Sequence, residues 1–133
     1  MAKHTAGLET AQVWRVLGGT SLGFHLKHIA GSVDRLSTYL AGEQLTTVQL
    51  EALRHESEPG ASLSVLLSAV EDRLSACEER LRQISPGSLA EPRSVGRRAL
   101  PTTVIGLIVH LAEHTQRHLG QAVVLAKILR QTS

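Results

Sequence analysis

Leu22, Leu26, Ile29, Val33, Leu36 and Leu40 recur at steps of four and three, so an apolar stripe runs down one helix over residues 20–41. Thr20 or Ser21 can cap its first turn, and Gly42 supplies a left-handed stop. A second stripe, Leu63, Leu66, Leu67, Val70, Leu74, Cys77, Leu81 and Ile84, predicts a helix over 61–84. Ser62 caps it, and charges such as Glu71, Arg73, Glu78 and Arg82 occupy its other face. A third, broader apolar face over 101–131 includes Val104, Ile108, Leu111, Leu119, Ala122, Ala126 and Leu129. Pro101 suits its first turn. Thr46 and Gln49 have capping-box spacing, which predicts a short helix over 47–57 ended by Pro59 and Gly60. No segment alternates with strand periodicity for long. The expected fold is therefore all-α and of bundle type, with three long helices and one short one.

Two stretches resist a helical reading. Residues 1–19 are polar and weakly periodic, with at most one helical turn around Thr10 to Leu17. They are expected to form an irregular arm on a single domain over 20–133. Residues 85–100 carry Pro, Gly and Ser together with Arg93, Arg97 and Arg98, and the pattern predicts a long loop.

Composition narrows the function. The chain has 133 residues, 14 Lys and Arg against 12 Asp and Glu, and a net charge of +2. Basic residues are scattered and show no helix-turn-helix spacing, so a nucleic-acid partner is not expected. Aromatics are limited to Trp14, Phe24 and Tyr39, too few for base stacking. The longest apolar run, from Val104 to Val109, falls far short of the roughly 20 residues of a membrane span. The single cysteine, Cys77, fits a reducing compartment, and no apolar export segment follows Met1, so a cytoplasmic protein is expected. Cys77 lies on a core stripe and is expected to be a buried, inert thiol.

Seven histidines are the unusual feature. His110, His114 and His118 are each four residues apart on the third helix, and residues at that spacing stack on one face. Two imidazoles so placed can converge on one ion, although such a pair also occurs on solvated faces. On a helical wheel His118 falls inside the apolar arc, His114 at its edge and His110 farther out. His25 and His28 flank the stripe of the first long helix, and periodicity favours His25 as the inward residue. A third imidazole from this helix would complete a three-His site. Nitrogen donors suit Zn, Ni, Fe or Cu rather than Mg or Ca, and three protein ligands leave a coordination position open. His4 and His55 lie in polar surroundings and are expected at the surface.

The segment from Gly23 to Leu36, with its His28-Ile29-Ala30, resembles the second helix of the DinB-like proteins, which are metal-binding helical bundles related to bacterial thiol-dependent transferases. Leu100 to Leu107, followed by His114-Thr115-Gln116-Arg117-His118-Leu119-Gly120-Gln121, resembles the last helix of that family. The resemblance implies His28, His114 and His118 as ligands of a divalent transition metal, with Zn, Ni or Fe favoured. It thus places the ligand at His28 where the wheel prefers His25. His25, His110 and Glu113 become candidates for supporting or pocket residues. The implied activity is metal-dependent transfer of a low-molecular-weight thiol; the competing expectation is a non-enzymatic helical metal-binding or assembly module with vestigial histidines. The family's long first helix has no counterpart in the arm. That leaves apolar stripe to be covered, and a homodimer is the expected cover.

Overall fold

The computed structural model describes residues 1–132. Its central element is α3 (Leu22–Leu40). The Ser21 hydroxyl accepts from the Phe24 N–H at 3.0 Å, starting the helix. Its stripe is the core: Leu22, Leu26, Ile29 and Val33 are almost completely inaccessible. At its end Gly42 takes φ +80°, which lets the Gly42 N–H reach the Tyr39 carbonyl and the Glu43 N–H that of Thr38.

Helix α5 (Leu63–Arg82) and helix α6 (Val104–Gln131) both pack on α3. Ser62 and Thr103 supply their caps through Val65 and Gly106. With 28 residues α6 is about 42 Å long. α5 and α6 scarcely meet each other, so the three long helices form an open arrangement around α3. The short helix α4 (Thr47–Arg54) has its capping box formed by Thr46 and Gln49. It buries none of its own residues. It hangs on α3 by polar contacts instead, the Gln49 amide donating to Thr38 Oγ1 at 2.7 Å and to Asp34 Oδ2 at 3.0 Å.

The segment expected to be a loop, and the first turn expected of the last helix, are organised differently. Pro86–Ser88 forms a 3₁₀ turn. Strand β1 (Pro92–Val95) then pairs antiparallel with β2 (Leu100–Thr103), Pro92 facing Thr103 and Val95 facing Leu100. Pro101 therefore sits in β2, and α6 starts only at Val104. Four-residue strands are too short to display alternation, and a proline is tolerated in a two-stranded ribbon because both strands are edges. Helices nevertheless dominate, as the periodicity predicts.

The N-terminal arm contains two single turns, α1 (Ala2–Thr5) and α2 (Thr10–Val13). Thr5, Leu8 and Val13 are buried, and α1 lies against α6. Trp14 fixes the arm in place: its indole N–H donates to the Ala61 carbonyl at 2.8 Å. Its ring also lies so close to α3 that a Cβ on Gly23 would come within 2.7 Å of it. The arm thus covers part of α6 and the start of α3. Its buried positions follow no helical or strand period, so the sequence pattern did not disclose them.

Candidate metal centre

The packing of α3 against α6 brings His28 between His114 and His118, which stand one turn apart. Ring centroids are 5.1 Å apart for His28 and His114, 4.3 Å for His28 and His118, and 4.6 Å for His114 and His118. One ring nitrogen from each of the three lies within 4.8 Å of the others. All three residues are half-buried. No other trio of His, Cys, Asp or Glu among the described residues is so placed.

The remaining nitrogens of two of these rings are held from behind. His28 Nδ1 donates to Glu56 Oε2 at 2.7 Å. Arg35 donates to the other carboxylate oxygen of Glu56 at 2.7 Å. Glu56 and Arg35 are both well shielded, with side-chain exposures of 8% and 11%. Gly31 makes this arrangement possible, because a Cβ there would come within 2.5 Å of Glu56 Oε1 and 2.7 Å of Arg35 Nη1. A glycine inside a helix costs about 1 kcal/mol relative to alanine; here the missing side chain is the space that the carboxylate fills.

His118 is held by His25, their Nδ1 atoms lying 3.0 Å apart, and His25 Nε2 meets Thr20 Oγ1 at 3.1 Å. His25 is buried, as its place on the stripe suggests, but both of its nitrogens are engaged. When Thr20 accepts from His25 Nε2–H, His25 Nδ1 accepts from His118 Nδ1–H, and His118 Nε2 keeps a free lone pair. The Glu56–His28 and His25–His118 contacts are the kind of outer support that fixes ring orientation and tautomer at a metal site. His110 is exposed and stacks on His114 with centroids 5.7 Å apart. Glu113 is exposed, pairs with Arg117 at 2.6 Å and is not one of the converging groups. Glu56, Arg35 and Thr20 were not candidates from sequence. Glu56 stands among Glu51 and Glu58 with no periodicity to single it out.

The electrostatics disfavour protonation of His114 and His118. Burial, then the neighbouring imidazoles, push the pKa values of His114 and His118 down to about 4. His25 is also lowered, by burial and then by His28. Burial raises the Glu56 carboxyl, but hydrogen bonds from His28 and Arg35 outweigh it and leave the net pKa lowered. At neutral pH His25, His114 and His118 are therefore neutral imidazoles, and Glu56 is a carboxylate. The donor set fits a transition metal: His28 Nε2 and His114 Nε2 lie 2.9 Å apart, near the roughly 3.3 Å edge of a tetrahedron with metal–nitrogen bonds of about 2.0 Å. With His28 Nδ1 donating to Glu56, the 2.9 Å contact suits a hydrogen bond from His114 Nε2–H to His28 Nε2, a proton that a bound ion would displace.

These shifts set a pH dependence. His114 and His118 titrate near 6.5 when unfolded and at about 4 when folded. The unfolded chain then binds more protons between those values, so stability is full above pH 6.5 and is lost as the pH falls from 6.5 to 4. The metal-free protein is expected to melt at least several degrees lower at pH 4.5 than at pH 7. His114→Gln combined with His118→Gln should flatten the profile. A wild-type melting temperature constant over this range would contradict the assignment.

Comparison with protein families matches residues 1–122 to a model described as DinB superfamily. No curated protein matches the chain.

Proposed function

The chain belongs to the DinB superfamily, and from that membership and the histidine cluster we propose that it binds one divalent transition metal through His28, His114 and His118. The observation that carries this reading is the convergence of three imidazole nitrogens within 4.8 Å. Such a nitrogen set suits Zn, Ni, Fe or Cu, and the family resemblance favours Zn, Ni or Fe among them. We further propose that the site serves transfer of a low-molecular-weight thiol to an electrophile. A bound ion lowers the pKa of a thiol and makes thiolate available at neutral pH. The chain's own part is to hold and orient. Glu56 and Arg35 fix His28, Thr20 and His25 fix His118, and three protein ligands leave a coordination position for a ligand that is not protein.

A second reading, a metal-binding module without turnover, is favoured by one observation. The nearby carboxylates are engaged, Glu56 with His28 and Arg35 and Glu113 with Arg117, which leaves proton transfer to the imidazoles themselves. Assay of the metal-loaded protein against a panel of thiols and electrophiles separates the two. Turnover that requires both metal and thiol supports the transferase. Metal binding without turnover supports the module.

The protein is also proposed to work as a homodimer. Val65 and Leu74 on α5, and Ile105, Val109, Val124 and Ile128 on α6, are 40% or more exposed. Exposed apolar surface of this kind commonly marks an interface, and a two-fold pair would cover both copies of it. Light scattering over a wide concentration range is expected to give twice the 14.3 kDa chain mass. A 14.3 kDa species throughout would contradict it.

A further inference from the structure

A cavity of about 630 Å³ lies between α4, the C-terminal half of α3 and the tip of the β1–β2 hairpin. Its size is within the range of small-ligand sites. The apolar part of its wall includes Tyr39, Leu50 and Leu53. Tyr39 is buried, whereas the two leucines are 40% and 41% exposed because α4 buries nothing of its own. Arg35, Arg54 and Arg97 also line it, and no acidic side chain does. Arg35 is committed to Glu56, and Arg54 pairs with Glu51 at the surface. Arg97 makes no ion pair among the described residues. It projects from a tight tip in which Gly96 and Ala99 both take positive φ and the Ala99 N–H donates to the Gly96 carbonyl at 3.0 Å. The tip therefore sets a guanidinium at the rim of an apolar groove.

We propose that this groove is a second binding site, for a small amphipathic anion: a carboxylate or sulfonate carrying an apolar body. Guanidinium groups pair with planar oxyanions through charge-assisted hydrogen bonds. Leu50 and Leu53 offer a surface for the apolar part. A neutral apolar ligand would cover Arg97 without giving it a partner, which is unfavourable. The inference goes beyond the metal reading and does not depend on it, because the histidines do not line the groove.

The test uses the full chain stripped of metal and titrated with anilinonaphthalene sulfonate, a fluorescent amphipathic anion. N-Phenylnaphthylamine, the same ring system without the sulfonate, is the control. The sulfonate is expected to bind saturably at one per chain and to shift backbone amide resonances of α4 and the hairpin tip. Arg54→Gln combined with Arg97→Gln should weaken it by roughly tenfold or more. Both positions are exposed, so melting curves should confirm an unchanged fold. The neutral control should bind wild type more weakly and be indifferent to the substitutions. Four results would overturn the proposal: equal sulfonate affinity in the double variant, amide shifts confined to other elements, a neutral control that binds as tightly, or release of the dye as protein concentration rises, which would mean a second copy fills the groove.

Discussion

Replacing His118 with alanine is expected to weaken zinc binding by about 100- to 1,000-fold while leaving helical content unchanged. Structural zinc sites with four ligands are worth about 10–16 kcal/mol, so one ligand accounts for about 3 kcal/mol, or about two orders of magnitude. His118 is only half-buried, so its loss opens little cavity in the core. His28→Ala should match it. His25→Ala should cost about tenfold, the lower end of what outer partners contribute, because His25 reaches the site only through His118 Nδ1. Competition with a chromophoric chelator measures all three. A larger loss from His25→Ala than from His28→Ala would show that the ligand set is drawn one turn out of register.

The second large effect is expected at Glu56. Glu56→Ala removes the shared partner of His28 and Arg35 and leaves the Arg35 guanidinium shielded and unpaired. Breaking a buried pair in this way costs about 3–5 kcal/mol, and the residual exposure of the two groups places the expected loss near the lower end. Glu56→Gln keeps the shape and one acceptor. It should preserve most of the stability yet weaken metal binding by roughly 10–100-fold, since the carboxylate no longer fixes the His28 tautomer. Chemical denaturation of both variants, with zinc affinity of the glutamine variant, separates the structural effect from that on the metal. If Glu56→Gln binds zinc as tightly as wild type, the carboxylate serves Arg35 and α3 packing alone.

The three long helices were legible because their leucines keep a helical period and because Ser21, Ser62 and Gly42 mark their ends. The pair His114 and His118 was legible from spacing. The choice between His28 and His25 was not, because α3 turns both toward α6: each faces a histidine there, His28 meeting His114 and His25 meeting His118. Family resemblance pointed to His28, which the geometry places in the trio. Glu56 and Arg35 could not be found from sequence. Their contact joins the end of α4 to the middle of α3, and the space for it is created by Gly31, a residue whose place in a helix looks unfavourable until the carboxylate is seen beside it. The hairpin was hidden for another reason. Its strands are four residues long and contain two prolines, which argue locally for a loop; pairing across the turn overrides that preference.

The central claim is that this chain holds a metal through three histidines, and its most direct test is the metal content of protein purified without an affinity tag. Elemental analysis should find close to one divalent transition-metal ion per chain in wild type, and close to none in a variant carrying His114→Ala and His118→Ala. Wild-type protein that contains no metal, and that takes up Zn or Ni no more tightly than the double variant, would contradict the account.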